Sequence, residues 1–266
     1  MIMTPHVRTV REGHVLYIHI ERPEVRNALS SQTYYELSLA FDELEQDPEL
    51  WVGVLTGKGD QAFSAGRDLK QLAMLEKASP EQQESERLLW EKTKRLTDRF
   101  EFPKPIVARL NGSAYGGGFE LALACDLIIA ADHAQLALPE PRRGLIATAG
   151  GVHRLPRQLG LKTAMGMLLT GRSLSVQRGY ELGLVNEVVP LAELDQTVSQ
   201  WIDDILMCAP LAVRATKACA MQGLDYPLKQ AMTHVYEAEK IRLNSQDSRE
   251  GPRAFSEKRL PNWSGK

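Results

Sequence analysis

Within 266 residues, the run Tyr115-Gly-Gly-Gly-Phe-Glu-Leu-Ala-Leu-Ala-Cys-Asp126 is the most telling. Three consecutive glycines open an apolar stretch, and one carboxylate, Glu120, sits inside it. Glycine lets a backbone approach a ligand closely and take up conformations that other residues avoid. A helix starting here would turn its first free N–H groups toward the same place. A glycine triplet alone is most often a tight turn. A carboxylate flanked by Phe119 and Leu121 is harder to dismiss, because a buried acid needs a partner or a task. A second acid, Glu140 in Leu138-Pro-Glu-Pro141, follows twenty positions on; by itself it reads as a solvated loop acid. Main-chain donors beside two acids suit a developing oxyanion and a reacting water.

Around this run, strands and helices alternate. Residues 7–20 read as two paired strands about Glu12-Gly13. Ser30 or Ser31 caps a helix to about residue 46, with Leu37, Ala40, Phe41 and Leu44 on its buried face. Strands are expected at 51–56, 106–110, 127–131, 135–138 and 184–189. Residues 63–66 read as a loop. A polar helix is expected over 80–100, with a stripe at Leu89, Leu96 and Phe100. Buried or amphipathic helices are expected at 119–124, 150–159, 162–169 and 176–182. After Pro190 the pattern is helical: 193–208, 211–221 and 228–244. This alternation predicts an α/β core over 1–190 with right-handed crossovers, followed by a helical region over 191–266.

The composition is 43% hydrophobic and 25% charged, with a net charge of −2. A nucleic-acid coat would carry a strong basic excess, so nucleic acid is not expected as a partner. Cys125, Cys208 and Cys219 form no close pair and read as free thiols in a reducing compartment. No secretory leader and no apolar run of membrane-spanning length is read, which points to the cytoplasm. The six histidines show no metal spacing, and neither a Gly-x-Ser-x-Gly elbow nor a phosphate loop is present. No metal is expected.

Taken in order, the motifs resemble the crotonase, or enoyl-CoA hydratase/isomerase, superfamily over nearly the whole chain. They are Arg22-Pro…Asn27-Ala-Leu29, Leu55-Thr-Gly…Ala62-Phe-Ser-Ala-Gly-Arg-Asp-Leu69, Pro103-Lys-Pro…Asn111-Gly and Gly116-Gly-Gly-Phe-Glu-Leu…Cys125-Asp126. Pro139-Glu140, Gly150-Gly-Val…Arg154-Leu, Thr170-Gly171, Gly183-Leu-Val185 and Glu250-Gly…Ala254-Phe…Glu257-Lys-Arg259 complete the set. Several segments are most similar to the carnitinyl-CoA dehydratase type.

The resemblance implies a spiral of ββα units, with the C-terminal helices joining copies into a homotrimer or a dimer of trimers. It implies an acyl-CoA substrate, with no cofactor beyond the coenzyme A of that substrate. It places oxyanion-binding N–H groups at Ala65 and Gly117 and the hydratase acids at Glu120 and Glu140. Glu120 is assigned to orient water and Glu140 to protonate the α-carbon. Arg26, Ala28, Asp68, Leu69, Lys70, Phe255 and Lys258 become candidate coenzyme A contacts. Arg67 stands where alanine is common in the family and would suit an anion on the substrate, a surface ion pair being the plainer reading. Thr148 stands where the family often has glycine, at a position whose N–H helps hold water. Retention of both acids favours hydration. An isomerase, a decarboxylase, a hydrolase or a non-catalytic acyl-CoA- or RNA-binding homologue are the rivals.

Overall fold

The computed structural model describes residues 5–266; the absence of a leader is a reading of the N-terminal residues, of which 1–4 lie outside the described residues. Strands β1 (Val7–Glu12) and β2 (Val15–Ile20) form the expected hairpin. Chain order continues through β3 (Val52–Gly57), β4 (Ala62–Ser64), β5 (Ile106–Leu110), β6 (Ser113–Tyr115), β7 (Leu127–Ala131), β8 (Gln135–Ala137), β9 (Leu174–Ser175) and β10 (Glu187–Val189). One sheet has the order β1-β2-β3-β5-β7-β10, and the other β4-β6-β8-β9. Helices are α1 (Ser31–Gln46), α2 (Leu69–Leu75), α3 (Pro80–Glu91), α4 (Gly117–Ala124), α5 (Gly151–Gln158), α6 (Leu161–Thr170) and α7 (Val176–Glu181). The C-terminal region holds α8 (Leu194–Leu206), α9 (Pro210–Gly223), α10 (Leu228–Thr233), α11 (Glu237–Leu243) and α12 (Asp247–Glu257).

Three times the chain crosses from the larger sheet to the smaller and then enters a helix: β3-β4-α2, β5-β6-α4 and β7-β8-α5. This is the spiral of ββα units. Side chains of a strand alternate between faces. Ile106, Ala108 and Leu110 therefore join the main core with Leu37, Phe41 and Leu44 of α1. Val107 points the other way, into a smaller cluster with Leu194, Val198 and Ile202 of α8. Each such side chain contributes roughly 1.5–3 kcal/mol on burial. At the start of α1 the Ser30 hydroxyl accepts the Thr33 N–H at 3.1 Å. At its end the buried Lys104 ammonium donates to the carbonyls of Leu44 and Asp47, satisfying groups the helix leaves open.

Four expectations change. Residues 62–64 form β4 where a loop was expected. The helix from Pro80 stops at Glu91, Leu96 is buried in a separate 3₁₀ turn, and Phe100 is exposed, so one stripe does not run through all three apolar residues. The expected helix over 228–244 breaks into α10 and α11, where His234 lies against Tyr226 and Tyr236 and the Tyr236 hydroxyl donates to Ala231 O. The strand before Pro190 shortens to Glu187–Val189. Among the described residues no helix is long and apolar enough to cross a membrane.

Candidate active site

Strands β4, β6 and β8 are parallel neighbours. The segments leaving their C-terminal ends supply the site: Ala65-Gly66-Arg67 after β4, Gly116 and α4 after β6, and Leu138-Pro139-Glu140 after β8. Parallel sheets gather their functional loops at this edge. The Gly116 N–H ties two of the ends together by donating to Ala137 O at 2.9 Å. Gly116 has φ +55° and ψ −129°, a conformation that only glycine adopts readily. A Cβ there would lie 3.0 Å from Glu140 Oε1. The first glycine of the triplet thus lets the Glu140 carboxylate sit against the start of α4.

Glu120 falls in the first turn of α4 and is 4% exposed. Its Oε1 accepts the Gly151 N–H at 2.8 Å, at the start of α5. Burial pushes its pKa up to about 7; the Gly151 N–H opposes the rise, and the charge of Glu140 adds to it. Glu140 is partly buried in the 3₁₀ turn Glu140–Arg143, and burial raises its pKa as well. Its Oε2 is buried without a partner among the described residues, an acceptor left open for a donor from outside the protein. Such a pair favours one proton, and its apparent pKa values belong to the pair. The deeper burial of Glu120 biases the resting proton toward it, against its assignment as the ionised member at rest. The one-proton state is the same in either arrangement.

The amide donors differ from expectation. The Ala65 N–H donates to Arg26 O at 2.9 Å, so it is not free for a ligand. Two residues on, Arg67 forms a parallel bridge with Leu29. The bonds of that bridge come from its neighbours, Leu29 N–H to Gly66 O (2.8 Å) and Asp68 N–H to Leu29 O (3.0 Å). The Arg67 N–H is thereby turned to the opposite side and meets no acceptor among the described residues. A Cβ built on Gly117 would stand 3.6 Å from Arg67 N and 2.8 Å from the Tyr34 hydroxyl oxygen. The close neighbour of Gly117 is therefore Tyr34. Gly117 opens α4, so its own N–H has no intrahelical partner. The pair of open amides is Arg67 and Gly117. Thr148 is exposed and its N–H donates to Ile146 O at 2.9 Å, whereas the neighbouring amides that reach Glu120 are those of Ala149 and Gly151.

The segment 26–29 is latched to 62–66. The Asn27 side chain donates to Ala62 O and the Ser64 hydroxyl to Asn27 O. This sets residues 26–29 beside the end of β4. Arg26 and Lys70 are exposed and make no ion pair among the described residues. The Asp68 carboxylate is engaged in structure: it caps α2 through the Gln71 N–H and pairs with Arg22 at 3.0 Å. Phe255 and Lys258 are exposed on α12 and its C-cap, and α12 packs on α11, away from the acids. The Arg67 guanidinium makes no ion pair among the described residues; it lies 4.7 Å over the Trp90 ring. Trp90 meets Tyr34 edge-on, their centroids 5.3 Å apart. Tyr34 was not foreseen. It extends the apolar face of α1 one turn before Leu37, so its position is legible but its role is not. Its hydroxyl has no partner among the described residues, and burial pushes its pKa up to about 12, so it remains a donor. A larger cleft of about 590 Å³ lies against β1, β2 and α8 and holds none of these residues.

The family model described as enoyl-CoA hydratase/isomerase matches residues 10–266. Carnitinyl-CoA dehydratase of Salmonella typhi is 36% identical, covering 99% of this chain and 100% of that protein. That of Escherichia coli is 37% identical over the same shares. Among solved structures, an enoyl-CoA hydratase from Bacillus anthracis superposes with a TM-score of 0.88 at 34% identity, covering 98% of this chain and 100% of that one. One from Mycobacterium tuberculosis does so with a TM-score of 0.85 at 35% identity, covering 99% and 100%. With that match spanning nearly every residue, the chain belongs to the enoyl-CoA hydratase/isomerase family.

Proposed function

We propose that the protein reversibly hydrates a 2-enoyl-CoA thioester at the Glu120–Glu140 pair. The observation that carries this reading is the convergence of two proton-holding acids and two open amides at the ends of three neighbouring strands. The thioester oxygen accepts from the N–H groups of Arg67 and Gly117. Charge that moves onto it as water attacks the β-carbon is stabilised there; loss of one such donor costs about 10²–10³ in rate in other enzymes. The ionised carboxylate takes the proton of water, and the protonated one gives its proton to the α-carbon. After one turnover the pair again holds one proton. In this reading the exposed cations Arg26 and Lys70 meet the phosphates of coenzyme A, whose charge suits them. No metal, further cofactor or nucleic acid enters this reading, and the setting is cytoplasmic.

Solvent labelled with ¹⁸O tests the reaction: hydration puts the label at C3 of the product, whereas a double-bond shift without label marks an isomerase. The pH dependence follows from the pair. The reactive state keeps one proton, and the last is held with a pKa of about 7. kcat/KM for hydration should therefore decline as pH rises above about 7, approaching tenfold per unit, and decline again in acid as the second carboxylate is protonated. A flat profile from pH 7 to 9 contradicts the pair.

The exposed apolar side chains Leu224, Leu228, Met232 and Val235, on α10 and the segments flanking it, suit a subunit interface. We propose a homotrimer or a dimer of trimers. Sedimentation equilibrium should give a mass that is a multiple of three chains; a monomer or dimer at micromolar concentration rules this out.

A further inference from the structure

A cleft of about 460 Å³ opens between the start of α1 and α3. Arg67 belongs both to this cleft and to the candidate active site: its N–H faces Gly117 and its guanidinium lines the cleft. The space therefore begins within one side chain of the amide proposed to hold the thioester carbonyl. Its lining is polar in an unusual way. Ser31 is 2% exposed, and its Oγ is buried with no hydrogen-bond partner. The Arg67 guanidinium, held over Trp90, has neither an ion-pair nor a hydrogen-bond partner among the described residues. The Tyr34 hydroxyl, unpartnered among the described residues, lies beside Gly117, and its ring meets Trp90 of the cleft edge-on. Of the acids of the cleft, Glu91 pairs with Arg87, while Glu86 accepts from the neutral Gln71 at 3.4 Å and keeps its charge, so Arg67 is the cation that must outweigh it. Two donors without acceptors among the described residues, one of them a fixed cation, belong to the lining of one space. Buried polar groups are seldom left unpaired, and a ligand that pairs them is one physical reason to hold them so.

We propose that this cleft receives the far end of the acyl group and that Arg67, with Ser31, selects chains ending in a carboxylate, the monothioesters of short dicarboxylic acids. The inference rests on the acyl-CoA reading above. A guanidinium recognises a carboxylate through two parallel hydrogen bonds. A trimethylammonium tail would instead meet a Trp90 face that Arg67 already covers, and would be repelled by it.

The test compares trans-glutaconyl-CoA with trans-2-pentenoyl-CoA, equal in length and differing in the terminal carboxylate, and with 4-trimethylammoniocrotonyl-CoA. The wild type should prefer the carboxylated thioester in kcat/KM by about tenfold to hundredfold, the range of one charge-assisted hydrogen bond, chiefly through KM. In Arg67→Met, which keeps the main-chain N–H, the ratio between the first two substrates should collapse toward one; Ser31→Ala should lower it severalfold. Hydration of glutaconyl-CoA and pentenoyl-CoA with equal kcat/KM, or a preference for the trimethylammonium chain, overturns the proposal and leaves hydration standing. If no thioester turns over, the hydratase reading falls, and equilibrium binding of glutaryl-CoA against pentanoyl-CoA decides the cleft: at least tenfold tighter binding supports it, equal binding overturns it.

Discussion

Glu120→Gln should lower kcat/KM for hydration by about 10²–10⁴, the usual worth of a positioned acid or base, while raising the melting temperature at pH 8. The two effects have one cause. Glutamine has the shape of glutamate, and its amide oxygen still accepts the Gly151 N–H that Glu120 Oε1 accepts at 2.8 Å. What it lacks is the ability to hold or release a proton. Burial holds the folded-state pKa of Glu120 at about 7, against 4.5 for the free side chain. A carboxyl whose pKa is raised by folding contributes stability fully below its unfolded pKa and loses that contribution as pH rises through the folded value. The window is therefore from 4.5 to about 7. At pH 8 the ionised side chain costs the fold on the order of 3 kcal/mol, which the neutral amide does not. A thermal scan at pH 8 should show the variant melting several degrees above wild type, and at pH 4 the gap should close. A variant that hydrates at the wild-type rate, or melts below wild type at pH 8, contradicts the placement of this acid in the mechanism.

The features legible in the sequence share a physical origin. The hairpin about Gly13, the α1 face at Leu37 and Phe41, and α4 each follow from local pattern: alternation, a 3.6-residue period, glycines before an apolar run. Glu120 was legible because an acid between Phe119 and Leu121 contradicts its surroundings. Glu140 was not legible from pattern, since its burial depends on β8 lying beside β6, a pairing between distant segments. The error at Ala65 has the same origin. Which of three successive N–H groups is open depends on the bridge between Leu29 and Arg67 and on the carbonyl of Arg26, neither of which leaves a periodic trace. Tyr34 and Trp90 were readable as packing residues; that one hydroxyl of that packing faces the active site is visible only once α1 and α3 are set against each other.

That open amides carry the oxyanion is harder to test, because no side-chain substitution deletes a main-chain N–H. Gly66 offers a route. It has φ +82°, and a Cβ on it would fall 2.6 Å from Tyr115 O and 2.7 Å from Gly117 N, contacts with backbone that cannot swing away. Gly66→Ala must therefore move the segment bearing Arg67 away from the one bearing Gly117. The strained conformation and the overlap together should cost about 2–4 kcal/mol of stability. Parting the two donors should lower kcat by about 10²–10³, as loss of one oxyanion donor does elsewhere. The acids are untouched, so the alkaline limb of the pH profile should stay near pH 7, whereas Glu120→Gln removes it. Gly13→Ala is the control: φ is +56°, nothing lies within 4 Å of the added carbon, and only the conformational cost of about 1 kcal/mol should appear, with full activity. If a folded Gly66→Ala protein kept wild-type kcat, the amides of Arg67 and Gly117 would not be acting together on one oxygen, and stabilisation of the developing charge would have to come from elsewhere in the site.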